Sequence, residues 1–281
     1  MTVEFAPDET KNMQKPANLG ELGSLSTRLA ENEAELKEAQ KIRYQVFCNE
    51  LSARQQSKLD TRLEQEQHDL ICDHLLVLDN SDENNSKTVG TQRFLVKQSK
   101  DTHLPFRSQS EFDLEDLAAR HPEKRFMELG RSCILETYRS KRTMELMWHG
   151  TWSYAVNNMV DVMTGCASFY AESPEEISLA LGFLSTLTSD NPEWQVSPTS
   201  PNNVVIKQYE KWVTDPKKAI RALPPLIKGY LRLGAYFSDA VVTDEDFGTI
   251  DIAVILPVKN INPRYVSYYG ANASKHSKNN T

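Results

Sequence analysis

The sequence predicts a single α/β or α+β domain with a central sheet, and three observations lead to this class. Strand-like apolar runs and segments of helical periodicity alternate along most of the 281 residues. Hydrophobic residues make up 39% of the chain, which is enough for one large core. No predicted strand is followed by a GxGxxG or Walker loop, so a doubly wound nucleotide-binding fold is disfavoured.

The first elements follow a polar, proline-containing segment, residues 1–20, which we expect to be a disordered tail. Residues 25–29 are a predicted strand and residues 32–51 a predicted helix. The apolar face of that helix carries Leu36, Ala39, Val46 and Phe47. Arg43 falls on the same face, and it requires an acidic partner because an unpaired buried charge is costly.

The remaining elements continue the alternation up to a second polar tail. Strands are predicted at 72–79, 89–96, 127–135, 161–169, 240–243 and 250–258. Helices are predicted at 113–120, at 143–159 with Thr143 as N-cap, from Ser173, and at 224–234. Residues 187–222 read as a loop-like cover or insertion, and residues 271–281 as a disordered tail. The domain therefore spans residues 21–270.

Composition narrows the class of protein. The formal net charge of −7 argues against nucleic acid as the main partner, because phosphate binding needs a basic face. The N-terminus has no apolar signal region, and no apolar run reaches the roughly 18–20 residues that span a bilayer. We therefore expect a cytoplasmic protein. The four cysteines are far apart and are expected to be buried thiols.

One predicted strand combines acidic, basic and nucleophilic side chains: Glu128-Leu-Gly-Arg131-Ser132-Cys133. A glycine inside a strand suggests a bulge, and the backbone N–H groups exposed there can hold a thioester oxygen. The helix near Thr143 would present its N-terminal N–H groups to a phosphate. A covalent intermediate on Ser132 or Cys133 is disfavoured, because no GxSxG elbow or partner histidine is evident.

Two charged clusters leave alternatives open. The acids Asp69, Asp73 and Asp79 lie near His74, and they are either solvated or bind a cationic amino acid; their spacing does not match a metal site. Basic residues surround the helix near Thr143 and the one at 224–234. They are Arg139, Lys141, Arg142, Lys217, Lys218, Arg221, Lys228 and Arg232. These are either ordinary surface charges or a docking site for an acidic partner.

Four groups of residues together resemble the ornithine lipid N-acyltransferases, a family of the GNAT-like superfamily distantly similar to acyl-homoserine-lactone synthases. The groups are 42–47 (IRYQVF) with 72–77 (CDHLLV); 89–93 (VGTQR) with 111–114 (EFDL); 128–133 (ELGRSC) with 138–139 (YR) and 146–150 (LMWHG); and 165–169 (GCASF) with 223–235 (LPPLIKGYLRLGA) and 247–251 (FGTID). The resemblance runs from about Leu25 to Tyr265.

The resemblance implies a fold, a reaction and its partners. The fold is a mixed, mostly antiparallel sheet flanked by helices. The donor is a 3-hydroxyacyl thioester on the phosphopantetheine of acyl carrier protein, with no other cofactor and no metal. The acceptor is the α-amine of ornithine, the transfer is direct, and the product is lyso-ornithine lipid. Such a product would bring the enzyme into transient contact with the inner membrane.

The resemblance also implies roles for particular residues. The site of the lactone-synthase relatives maps onto Arg43, Asp69, Asp73 and Arg93, which we assign to acceptor binding, and onto Glu128 and Arg131, which we assign to catalysis. The bulge adds the backbone of Ser132 and Cys133 as the predicted contact of the thioester oxygen. Glu128 is either the base or an ion-pair partner of Arg131 or Arg43. The charge and position of Arg139, Lys141 and Arg142 make them the predicted docking site for the carrier. The loop 137–142 has no glycine, which fits a single phosphate better than acetyl-CoA. Four aromatic residues could line an acyl groove or the core: Phe94, Trp148, Trp152 and Phe169.

Other functions remain open from sequence alone. The acceptor could instead be glycine, lysine, glutamine or tyrosine. A lactone synthase that uses S-adenosylmethionine is disfavoured by the helix that begins Pro224-Pro225 and the strands after it. A carrier-binding or lipid-binding module without catalysis is disfavoured by the joint presence of Arg43, Asp73, Glu128 and Arg131.

Overall fold

A computed structural model describes residues 18–50, 62–82, 84–188 and 192–261, and nine strands in these ranges form one sheet. The strands are β1 (Gly20–Leu22), β2 (Leu25–Leu29), β3 (Asp73–Asp79), β4 (Lys87–Gln98), β5 (Arg125–Ile134), β6 (Val162–Phe169), β7 (Asn203–Val205), β8 (Tyr236–Asp244) and β9 (Thr249–Pro257). Their order is β1-β2-β3-β4-β5-β6-β9-β8-β7. Only β5 and β6 pair in parallel, so the expected mixed, mostly antiparallel sheet is confirmed.

Six α-helices accompany the sheet in the described ranges. They are α1 (Glu33–Arg43), α2 (Leu114–Arg120), α3 (Lys141–Asn157), α4 (Ser178–Thr188), α5 (Pro216–Ala222) and α6 (Pro225–Leu233). The Asn32 side chain caps α1 by accepting from the backbone N–H of Glu35 at 3.0 Å. Gly234 ends α6 in the left-handed conformation, with φ 87°. Within the described part of the chain, no helix is both long and apolar enough to cross a bilayer.

The sheet is buried on both faces, as β3 illustrates. Alternate side chains of a strand point to opposite faces. Leu75 and Val77 belong to the large core that contains the apolar residues of α3. Leu76 and Leu78 lie in a separate cluster with Ala39 of α1. A strand enclosed in this way reads as a continuous apolar run, which explains why it was predicted correctly from sequence.

The N-terminal helix and α3 differ from the sequence prediction at their ends. The predicted helix 32–51 is α-helical only to Arg43 and continues as a π-helix over Tyr44–Glu50. The cap of α3 is Ser140, not Thr143, because the Ser140 hydroxyl accepts from the Thr143 backbone N–H at 3.1 Å. The correction moves the start of α3 to Lys141 and places the basic residues 141 and 142 in its first turn.

The segment 187–222 is more structured than its loop-like prediction. It contains β7, a 3-10 helix over Ile206–Trp212, and α5. Ile206 and Tyr209 are buried in the main core, so tertiary contacts fix a segment whose local periodicity is weak. The predicted N-terminal tail overlaps β1 at Gly20. Its first 17 residues, and the predicted tail 271–281, lie outside the described residues.

Candidate active site

A cavity opens where β5 and β6 separate. The two strands pair at only three positions: Phe126–Val162, Met127–Met163 and Glu128–Thr164. Beyond them, residues of both strands line a cavity of about 550 Å³. Gly165 stands at the separation with φ 153°, and a Cβ there would lie 2.4 Å from the Leu129 carbonyl oxygen. A glycine is therefore needed for the strands to approach so closely before they part.

A bulge in β5 faces this cavity. Gly130 pairs with Arg93 of β4, and Cys133 pairs with Thr91, so two β5 residues stand opposite one residue of β4. The backbone of Arg131 has a positive φ of 51°, in the left-handed region that residues other than glycine seldom adopt. The irregularity predicted from the internal glycine is confirmed, although the residue with positive φ is Arg131. A bulge releases backbone N–H groups from the ladder, where they can meet a developing oxyanion.

The N-terminal end of α3 lies at the same cavity. Arg139 precedes the helix and lines the cavity together with Met144, Met147 and Trp148 of its first two turns. The first N–H groups of a helix lack internal partners and carry partial positive charge, so they favour an anionic group. Of the four aromatic residues considered for an acyl groove, Trp148 lines the cavity, whereas Phe94 and Phe169 are buried in the core.

A network of four arginines and four carboxylates lies beside the cavity. Its members are Arg43, Arg93, Arg107, Arg131, Glu64, Glu66, Asp69 and Glu111. Arg43 is fully buried and donates two hydrogen bonds to Asp69, at 2.9 and 2.6 Å. Its Nε also lies 2.5 Å from Glu64, a close ion pair without hydrogen-bond geometry. The acidic partner that Arg43 was predicted to need is therefore present.

The network keeps two of its carboxylates, Glu66 and Asp69, ionised. Burial alone would raise the pKa of Glu66, but the charges of Arg131, Arg93 and Arg107 outweigh it and hold that pKa at about 2. Burial also raises the pKa of Asp69. The hydrogen bonds from Arg43 and Arg93 outweigh that effect and keep the pKa of Asp69 well below its usual range. These groups are charged at neutral pH and are unsuited to remove a proton from an amine.

Several residues predicted to bind the acceptor do not reach the cavity. Arg93 lines it, but Arg43, Asp69 and Asp73 are not among its lining residues. Arg43 and Asp69 are occupied within the network. Asp73 is exposed at the start of β3 and accepts a hydrogen bond from the Tyr154 hydroxyl at 2.5 Å. A direct contact of these three residues with the acceptor stays a prediction, and their observed partners are protein groups.

Glu128 lines the cavity and anchors a turn. One of its oxygens accepts from the backbone N–H of Arg107 at 2.7 Å, and the other from that of Ser108 at 2.8 Å. Among the described residues, Glu128 forms no ion pair with Arg131 or Arg43. The predicted alternative, that Glu128 is an ion-pair partner of one of these arginines, is therefore wrong. Each oxygen has a further lone-pair direction, which leaves the carboxylate able to act on a group in the cavity.

The neighbouring predicted catalytic residues have separate surroundings. Arg131 pairs with Glu64 at 3.0 Å and with Glu66, and its guanidinium lies 4.8 Å from the centre of the Phe247 ring. The Ser132 hydroxyl donates to the Met147 sulfur at 3.4 Å. Burial raises the pKa of the Cys133 thiol to about 12, so this thiol remains protonated and is a poor nucleophile.

The predicted carrier-docking residues form an exposed basic edge at the start of α3, and Arg139 among them lines the cavity. Arg139 pairs with Glu50 and donates to the Ile134 carbonyl at 2.9 Å. Lys141 is 87% exposed, and its only close acid here is Glu145 at 3.8 Å, within the described chain. Arg142 is exposed and lies against Gly23. The other basic residues lie on α5 and α6, and the first residues of α6 also line the cavity.

The sequence interpretation gave no role to three further acids that line the cavity. Glu111 precedes α2, Asp244 ends β8 and Asp251 lies in β9. One oxygen of each lies within 4.8 Å of the others. Glu111 and Asp251 stand in sequence blocks that carried the family resemblance, which was the available signal. Their convergence depends on sheet order and is invisible to local spacing.

Comparison with known proteins identifies the family. An Acetyltransferase (GNAT) domain model matches residues 42–149. A protein of Agrobacterium fabrum named L-ornithine N(alpha)-acyltransferase is 47% identical over 97% of this chain and 94% of its own length. Proteins with the same name from Rhizobium meliloti and Brucella abortus are 45% and 40% identical, covering 95% and 92% of this chain and 92% of each relative.

Solved structures give a weaker likeness. An N-acyl amino acid synthase from uncultured soil microbes has a TM-score of 0.46 at 11% identity, covering 84% of this chain and 91% of its own. A CoA-dependent acyl-homoserine lactone synthase has a TM-score of 0.45 at 11% identity, covering 87% and 84%. The assignment therefore rests on the sequence relatives. This chain is an N-acyltransferase and belongs to the L-ornithine N(alpha)-acyltransferase family.

Proposed function

We propose that this enzyme transfers a 3-hydroxyacyl group from acyl carrier protein to the α-amine of L-ornithine, giving lyso-ornithine lipid. The observation that carries the proposal is the identity of 40–47% with three proteins named for acylation of ornithine. The cavity beside a bulged strand and a helix N-terminus supports an acyl thioester as the donor. The donor's carrier and its 3-hydroxyl are expectations from the family resemblance.

The donor end of the reaction uses the open side of the sheet. The thioester lies between β5 and β6, with its carbonyl oxygen directed at backbone N–H groups of the bulge near Ser132 and Cys133. Removing one such donor typically costs about 10²–10³ in rate. The phosphate of phosphopantetheine lies at the N-terminal end of α3, and the acyl chain contacts apolar residues such as Met147 and Trp148.

The transfer is a direct attack by the amine. The α-ammonium of ornithine loses a proton to Glu128, directly or through one water. The free amine nitrogen then attacks the thioester carbonyl carbon, and the C–S bond breaks. The phosphopantetheine leaves as a thiolate, which takes up the second proton of the amine and becomes the free thiol. The high pKa of the Cys133 thiol supports a path without an acyl-enzyme intermediate.

The carrier docks on the basic edge formed by Arg139, Lys141 and Arg142. Acyl carrier protein is acidic, and complementary charge speeds encounter more than it adds affinity. Arg139 of this edge lines the cavity and precedes α3, at whose N-terminal end we place the phosphate. We place the reaction in the cytoplasm, with transient contact at the inner membrane when the amphiphilic product leaves.

A competition assay tests the proposed function. Purified enzyme receives 3-hydroxyacyl carrier protein and an equimolar pool of the twenty amino acids plus ornithine, and products are identified by mass spectrometry. We expect 3-hydroxyacyl-ornithine to dominate. Dominance of another amino acid would refute ornithine, and absence of any acylated amino acid would refute the transferase reaction. Replacing the carrier by the matching acyl-CoA should reduce the rate, and an equal rate would refute carrier dependence.

A further inference from the structure

The three acids at the cavity wall come from distant parts of the chain and meet because of the sheet order. Asp251 lies on β9 opposite Ser168 of β6, and Asp244 ends β8, the next strand. Glu111 reaches the same place from the segment before α2. One oxygen of each lies within 4.8 Å of the others, and all three residues line the cavity. We call them the acidic trio.

The acidic trio has too few positively charged partners to balance its three carboxylates. In the neighbouring network, four arginines balance four carboxylates, and Glu111 is the only member of the trio in that balance. Among the described residues, no Lys, Arg or His forms an ion pair with Asp244 or Asp251. Asp244 accepts backbone N–H groups of Asp246 and Phe247 at 2.9 and 3.0 Å. Asp251 accepts from the Thr249 hydroxyl at 2.9 Å. Neither contact supplies a positive charge.

Glu111 adds an independent sign of a missing ligand. The Glu111 residue is buried, and its side chain is 11% exposed. Its Oε1 accepts from Arg107 at 2.7 Å, whereas its buried Oε2 has no hydrogen-bond partner in the described chain. The Cys166 thiol also forms a hydrogen bond with the Glu111 carboxylate, but a thiol is a weak donor and carries no charge. A buried carboxylate oxygen without a partner is costly unless a ligand completes it.

The electrostatics show the same deficit. Burial raises the pKa of Asp251 to about 7, and the charges of Glu111 and Asp244 contribute to the rise. Glu111 and Asp244 make ionisation of Asp251 unfavourable, because a third negative charge would lie beside theirs. A cation bound among the three carboxylates would offset this repulsion. An alkyl ammonium has a pKa near 10.4 and remains charged at neutral pH.

We infer that the acidic trio is the subsite for the side-chain ammonium of the amino-acid acceptor. The inference rests on the proposed function and deepens it, because it assigns the recognition of ornithine to particular residues. Three acceptors that each lie about 2.8 Å from a tetrahedral –NH₃⁺ stand about 4.6 Å apart. The three carboxylate oxygens lie within 4.8 Å of one another, which is compatible with this distance. The α-amine, which must lose its proton, is directed at Glu128 and the thioester.

The inference is tested by comparing ornithine with norvaline as acceptors. Norvaline has the same five-carbon skeleton but no side-chain amine. The readouts are binding by calorimetry, which does not depend on turnover, and kcat/KM with 3-hydroxyacyl carrier protein. For the wild-type enzyme we expect ornithine to be favoured by about 10- to 100-fold, the value of one or two charged hydrogen bonds. Asp251→Asn and Glu111→Gln should each reduce that preference about tenfold or more while norvaline values change little.

A matched control is Asp246→Asn, since Asp246 is exposed on the same turn as Asp244 and does not line the cavity. It should leave both substrates unchanged. If Asp251→Asn fails to fold, Asp244→Asn, at a partly exposed position, gives the same test. A wild-type enzyme that binds and acylates norvaline as well as ornithine would overturn the inference and leave the transferase intact.

Two other results would also overturn the inference. Equal losses for ornithine and norvaline in the trio variants would mean that the trio acts on the α-amine or only on the scaffold. Loss of activity in EDTA, with recovery on adding Mg²⁺ or Ca²⁺, would mean that the trio holds a metal ion. If the wild-type enzyme acylates no amino acid but binds ornithine far more tightly than norvaline, the proposed reaction fails and the ammonium subsite stands.

Discussion

Replacing Arg43 by methionine tests whether the buried network stabilises the fold. Methionine matches the length of the arginine stem but removes a guanidinium that has no exposed surface. Asp69 would lose two hydrogen bonds and keep those from Arg93 at 2.8 Å and Gln40 at 3.0 Å. Glu64 would lose its 2.5 Å contact and keep Arg131 at 3.0 Å. Each carboxylate would then retain one cation.

The expected cost follows from this remaining pairing. Breaking a buried ion pair typically costs about 3–5 kcal/mol, because the other charge stays buried. Since both acids keep a partner, we expect the lower half of that range, about 3–4 kcal/mol. For a domain of this size, that corresponds to a fall in Tm of roughly 6–16 °C.

The assay is urea unfolding at pH 7 followed by circular dichroism, with Lys37→Met as control. Lys37 pairs with Glu33 on the surface, where the two side chains are 49% and 79% exposed, and such pairs contribute about 0–1 kcal/mol. A loss in Arg43→Met no larger than the control would refute the reasoning. So would a stabilised variant, because it would mean that desolvation of the arginine outweighs its pairing.

Three further predictions concern catalysis and pH. Glu128→Gln should lower kcat by about 10²–10⁴ while circular dichroism shows a folded enzyme; retention of a tenth of the wild-type rate would exclude Glu128 as the base. Because Asp251 has a folded pKa of about 7 against an ordinary 3.8, the wild-type protein should lose stability as pH rises from about 4 to 7. The difference in Tm between Asp251→Asn and the wild type should therefore favour the variant more at pH 8 than at pH 4. A difference in Tm that is the same at both pH values would contradict this prediction. Changing Arg139, Lys141 and Arg142 together to glutamine should raise KM for the acylated carrier and weaken its dependence on salt, whereas an unchanged KM would remove the docking assignment.

The order of most elements outside residues 187–222 was predictable from the sequence, because buried strands and amphipathic helices have strong local signals. The strand over Leu25–Leu29 was predicted with its observed bounds, and those of β3, β6 and β9 were within one residue. The glycine of the 128–133 block indicated the bulge. The segment 187–222 was mistaken for a loop because residues such as Ile206 are held by the core, not by local propensity. The cap of α3 was misplaced because Ser140 and Thr143 are both competent caps, and only backbone geometry distinguishes them.

By itself the sequence determined the family, the mixed sheet and the need of Arg43 for an acidic partner, because each has a signal within a short stretch of chain. Tertiary structure alone decided which charged groups meet. It placed Asp69 against Arg43 and Arg93, gave Glu128 two backbone donors, and brought Glu111, Asp244 and Asp251 together at one wall. The physical reason is that electrostatic interaction depends on distance and burial in space, and strand order joins residues more than a hundred positions apart.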